Sequence, residues 1–252
     1  MVDHTRPEEG QRLEEGQSIL EHINELRIRL TWALAALVVG TVISFAFTQP
    51  LLEFLIAPYG DLVQAISPTE PIETYFKVAL VSGAVLAMPV MLYQIWLFIS
   101  PALEKNEKRF VYIFIPAAFL LFLTGIVFTW TVLLPAAIAF LSTFMPDIFN
   151  VEWTAREYIS FTTTFIFWLG VSFEMPLIIY LVARAGLITA QTLREQWRIA
   201  VVGVAVIAAA VTPSIDPVTM LLTMVPLLVL YTLSILMAMV GQRQFQRSMS
   251  ID

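Results

Sequence analysis

Cysteine is absent from the chain, so no disulfide, thiolate nucleophile or cysteine metal site can form. Histidine is nearly absent. His4 and His22 both precede the first long apolar run, which excludes a histidine metal centre within the apolar body. Charge is scarce: 13% of residues are Asp, Glu, Lys or Arg, about half the share of a soluble globular protein. There is no Gly-rich phosphate loop, no Ser/His/Asp set and no carboxylate pair at enzymatic spacing. These gaps predict a protein that is not an enzyme and uses no metal or cofactor. The net charge of −6 argues against a nucleic-acid partner.

What is present is apolar side chain, 58% of 252 residues. Such a chain belongs in a lipid bilayer, where one spanning helix needs about 20 mostly apolar residues. The predicted fold is an all-α polytopic membrane protein with six spans, at about 30–48, 76–98, 110–133, 158–183, 198–211 and 217–239. The long third apolar stretch reads as a span to Leu133, with an interfacial segment from Pro135. The fifth span is short. The segment "TPSIDP" parts it from the sixth. Residues 1–21 hold six acids and no apolar core, and read as a flexible acidic arm rather than a cleaved signal. Residues 22–240 form one membrane domain without internal repeats, and 241–252 a short tail.

The basic residues orient this topology. Four Arg precede span one, three Lys and Arg lie between spans two and three, three Arg between four and five, and two follow span six. Only Lys77 and Arg156 fall on the other side. By the positive-inside rule the twelve-residue side is cytoplasmic, and both termini lie there. Pro89, Pro116, Pro176 and Pro226 fall within spans and predict bent helices and a curved wall.

Four acids carry the functional question. Glu174 is the one ionisable residue deep in a span. A charge there costs roughly 2.5–3.5 kcal/mol on insertion scales, so it normally faces a cavity or a partner. It reads as a polar contact for a partner helix or a hydrated dent, or as a protonated carboxyl bonded to a carbonyl freed by Pro176. Glu25 stands four residues before Arg29, the favourable order for a surface ion pair, yet Glu21 four residues earlier repels it. Glu107, with Glu104, opens the approach to span three; taken alone it is a solvated charge. Asp216 is placed to cap span six, with Pro217 at the first helical position. Lys77 reads as a lysine snorkelling to the interface.

The stretches "HINELRIRL" (22–30), "YQIWLFISPALEKNEKRF" (93–110), "GVSFEMP" (170–176) and "TPSIDP" (212–217) occur in that order. Together they resemble the twin-arginine translocase subunit TatC family over roughly residues 18–240. The resemblance implies a cup-shaped six-span bundle in the bacterial inner membrane. It implies a receptor that starts export of folded proteins bearing two adjacent arginines in their signal peptides. It places Glu25 and Glu107 as the carboxylates that engage those arginines, with Arg27 and Phe98 near the same surface. Glu174 matches a buried glutamate on the concave face. Thr212 and Asp216 fall in the last external loop, and Pro58 and Phe76 in the first, where assembly is affected. Implied partners are the single-span subunits TatA and often TatB, and further copies of the chain in the receptor complex; the implied energy source is the proton-motive force. Met220 stands where the family often has glutamine, and Thr232 where it often has glutamate.

Physical chemistry agrees with that role: guanidinium groups grip carboxylates bidentately, and a face rich in Lys and Arg needs exposed acids to bind them. Two other readings remain at the level of sequence. A proton-coupled solute transporter would use Glu174 as carrier, but such proteins often show inverted repeats and matching broken helices. A passive scaffold leaves Glu25 and Glu107 unexplained.

Overall fold

The computed structural model describes residues 6–60, 63–99, 108–148, 151–212 and 216–249, and Glu107 lies outside them. Its elements are α1 (Arg6–Phe45), α2 (Thr48–Ile56), α3 (Glu70–Ile99), α4 (Lys108–Phe128), a π-turn (Thr129–Leu133), α5 (Leu134–Ser142), α6 (Ala155–Ser172), α7 (Met175–Arg184), α8 (Ala190–Glu195), α9 (Trp197–Val211) and α10 (Pro217–Met249). Among the described residues five helical stretches are long and apolar enough to cross a membrane, and the apolar α9 is shorter. The protein is an all-α membrane protein with six such segments. Among the described residues there is no strand, only one bridge, in which Ala155 N donates to the Gln64 carbonyl at 2.7 Å and ties two loops together.

The structure refines the sequence reading at three places. The helix of the third span does not stop at Leu133. Ile113–Ser142 is one continuous helical stretch. Proline removes an N–H and crowds the carbonyl four residues back; the π-turn just before Pro135 widens the ladder where that conflict arises. The fourth span, Ala155–Arg184, is one stretch with a turn at Phe173 and Glu174. Glu174 N bonds the Val171 carbonyl at 3.0 Å, a tightened turn between α6 and α7, and Pro176 sits in the first turn of α7. The first helix takes in much of the acidic segment read as an arm, beginning at Arg6. Pro89, Pro116 and Pro226, in contrast, lie inside unbroken helices.

Small residues set the helix crossings. A Cβ on Gly40 of α1 would meet the Gly83 carbonyl oxygen of α3 at 2.4 Å, and a Cβ on Gly83 would meet the Thr41 backbone at 2.5 Å. The two antiparallel helices therefore touch backbone to backbone, and Ser44 and Ser82 share a hydrogen bond beside the crossing. In lipid no hydrophobic force separates helix from surroundings, so close packing of small residues does the work. Gly125 of α4 similarly abuts Phe173 and Gly170 at the α6–α7 break.

The core is centred on Tyr158, Phe165, Leu134 and Leu169, where α6 meets α3, α5, α9 and α10. Many buried hydroxyls are satisfied by the carbonyl one turn back along the chain. Thr48, Thr129, Thr163, Thr212, Thr223 and Ser234 each donate to the carbonyl four residues earlier. That pattern lets polar side chains reside where water is absent.

Candidate functional site

The expected site residues fall in three places. At the basic end of the bundle, Glu25 lies on α1. Arg29 Nη2 donates to its Oε1 at 3.1 Å, with both side chains a little over a quarter exposed. Arg27, two residues after Glu25, points outward. Both helices of the α1–α3 pair rise about 1.5 Å per residue. Fifteen positions back from Gly40 is Glu25, and fifteen forward from the facing Gly83 is Phe98. The antiparallel register thus carries Glu25 and the half-buried Phe98 to the same level. Lys108, the residue after Glu107, opens α4.

The second place is the α6–α7 break. Glu174 is 2% exposed. Its Oε1 is buried with no hydrogen-bond partner. The tightened turn exists because Pro176 cannot donate a backbone bond, and the Gly125–Gly170 contact seats α4 directly beside it. A buried carboxyl with an unsatisfied oxygen costs about 1–3 kcal/mol. It is a polar point held in an apolar wall.

The third place is the end opposite the basic one. Asp216 Oδ1 accepts from Thr219 N at 2.6 Å, so Asp216 caps α10 with Pro217 at the first helical position. Thr212 is buried, its hydroxyl on the Ala208 carbonyl. Met220 is half-buried against the core. Pro58 is exposed in the turn after α2. Phe76 is 57% exposed, and its ring meets Phe45 edge-on at 5.2 Å. The structure therefore separates these residues from Glu25 and Phe98 by the length of the bundle.

Lys77 gains a partner that the sequence does not show. Its Nζ donates to Ser160 Oγ of α6 at 2.5 Å. Sequence reasoning also passed over a clamp at the basic end. Tyr180 hydroxyl donates to Gln244 Oε1 at 2.7 Å, Arg184 donates to the Tyr180 hydroxyl at 3.1 Å, and Gly241 lies against the Tyr180 carbonyl. The one sequence sign of that clamp is polar residues continuing past the apolar run of the last span.

Comparison with known proteins gives one answer. The family model for Sec-independent protein translocase protein (TatC) matches residues 21–226. The chain is 36% identical to the Sec-independent protein translocase protein TatC of Helicobacter pylori over 223 residues, covering 88% of this chain and 87% of that one. It is 34% identical to the Aquifex aeolicus protein of the same name over 233 residues, covering 90% and 96%. A solved structure described as the twin arginine translocase receptor TatC superposes with a TM-score of 0.79 at 35% identity, over 87% of this chain and 99% of that chain. Motif order, six-segment fold and these similarities agree, and the chain belongs to the TatC family of Sec-independent protein translocase proteins.

Proposed function

We propose that this protein is the receptor subunit of a twin-arginine translocase, binding twin-Arg signal peptides of folded cargo at its basic, cytoplasmic end. The observation that carries the reading is Glu25: a partly exposed carboxylate at the level of Phe98, on the end of a TatC-family fold that holds most of its Lys and Arg. The solved relative's description as a twin arginine translocase receptor supports it.

The binding step is an exchange of guanidinium groups. Glu25 already accepts from Arg29, in a helix-surface pair worth about 0.2–0.5 kcal/mol. An incoming arginine that reaches the carboxylate bidentately outcompetes so weak a partner. Glu107 receives the second arginine, while Arg27 and Phe98 border the surface. The apolar part of the signal then follows the wall toward Glu174. Thr212, Asp216 and Met220 border the region where TatA and TatB helices dock, and Pro58 and Phe76 contribute to assembly with further copies of the chain. Export draws on the proton-motive force across the bacterial inner membrane, with both termini cytoplasmic. Residues 22–240 form the membrane domain that does this.

Photo-cross-linkers at positions 25 and 107, in membranes with a twin-Arg signal peptide, test the reading. Cross-links from both positions that vanish when the two arginines become lysines are expected. Wild-type peptide affinity in both Glu25→Ala and Glu107→Ala would sink it.

A further inference from the structure

A recess of about 250 Å³ lies between α2, α3, α4 and α6, and none of the expected site residues lines it. Leu55, Val81, Val85, Ile126, Trp130 and Ile166 are among the apolar side chains of its wall. Its polar lining, Ser82 and Thr163, offers little to a solute. Ser82 donates to the Val78 carbonyl at 2.5 Å and Thr163 to the Ile159 carbonyl at 2.6 Å. Phe54 and Val127, on the rim, are more than half exposed, so the recess opens outward. An enclosed apolar cavity of about 150 Å³ stays dry and takes up benzene; this one has room for a longer hydrocarbon segment.

At one end of the recess stands a cation. Lys77 precedes Val81 and Val85 by one and two helical turns on the same face of α3. Ser160, its partner at 2.5 Å, precedes Thr163 by three residues on α6. Neighbouring acids are engaged elsewhere. Glu73 pairs with Arg156 at 2.8 Å, and Glu70 accepts from Ile66 N at 3.2 Å. Among the described residues no carboxylate lies within ion-pair distance of Lys77. Charged groups in spans are normally paired, and an ammonium has three donors of which Ser160 takes one.

Depth fits an anion from the bilayer itself. The 29 residues of Glu70–Phe98 rise roughly 43 Å, the thickness of a bilayer with its headgroups. Lys77 is about 10 Å inward from Glu70 along the axis, at the border of headgroup and hydrocarbon. A single acyl chain fits a recess of about 250 Å³.

We infer that this recess is a phospholipid site, with one acyl chain between Val81, Val85, Ile126 and Trp130 and the anionic phosphate on Lys77 and Ser160. The inference does not depend on the receptor reading.

The test is native mass spectrometry of the full chain, extracted from phosphatidylglycerol-containing nanodiscs into mild detergent. One retained phosphatidylglycerol per chain is expected, uncompeted by millimolar inorganic phosphate. Lys77→Gln should lower retention at least fivefold and abolish preference over a phosphate-free diacylglycerol. Val81→Phe should lower retention of both lipids at least tenfold. If Val81→Phe does not assemble, Val127→Trp blocks the mouth from an exposed position. Retention unchanged in Lys77→Gln and in a cavity variant overturns the site. So does a cross-linker at position 81 that captures signal peptide in place of lipid.

Discussion

Arg29 holds Glu25 at 3.1 Å from one turn further along α1, so the carboxylate proposed to greet a foreign arginine already has one of its own. The resident guanidinium orients the carboxylate, and its hold is weak because the pair is partly solvated.

Exchange predicts opposite signs for the two partners. Glu25→Ala removes charge-assisted hydrogen bonds of about 1.5–3 kcal/mol, and twin-Arg peptide affinity should fall ten- to a hundredfold. Arg29→Ala removes only a competitor, and affinity should hold or rise about twofold. Peptide titration against the purified protein reads both; a large loss in Arg29→Ala contradicts exchange.

Glu174 can be separated from stability. Its unsatisfied buried oxygen costs the fold about 1–3 kcal/mol, so Glu174→Leu should unfold no earlier than wild type in a thermal scan. Export of a twin-Arg reporter should nevertheless fall in that variant. Wild-type export would remove Glu174 from the signal's path.

Gly83 should tolerate no side chain. Its Cβ position lies 2.5 Å from the Thr41 backbone, which cannot move aside as a flexible side chain could. Gly83→Leu should cost more than the roughly 1–3 kcal/mol typical of overpacking and lower the midpoint of thermal unfolding sharply. Gly203, whose Cβ position meets nothing within 4 Å, is the matched control and should accept Ala unchanged.

Asp216 acts first as a cap. Asp216→Ala should lose about 1 kcal/mol, while Asp216→Asn, which can still accept from Thr219 N, should keep most of it. Thermal unfolding of both variants distinguishes a cap from a purely electrostatic role, in which Asn and Ala would behave alike.

Much of this protein is legible in one dimension because a bilayer makes composition decisive. Apolar runs of spanning length, prolines and the bias of Lys and Arg are all local quantities. So is the Asp216–Pro217 cap, which needs only neighbours in sequence. The third and fourth spans hide local detail for one shared reason: Pro135 and Pro176 both announce a disruption, but whether a helix widens, tightens or stops depends on what packs beside it. At Pro135 a π-turn keeps the segment spanning; at Pro176 a tight turn against Gly125 divides α6 from α7. The partner of Lys77 is hidden in one dimension because Ser160 is 83 residues away.

The sequence by itself determined the solvent, the number of apolar segments and the ordered motifs of the TatC family, since each depends on residue type and spacing alone. Tertiary structure decided which residues share a level and which face a neighbour. Glu25 meets the level of Phe98 because Gly40 and Gly83 let two backbones touch and so lock the register of α1 and α3. The recess beside Lys77 exists because four helices leave it unfilled. Both are properties of packing across long stretches of chain, which no local pattern encodes.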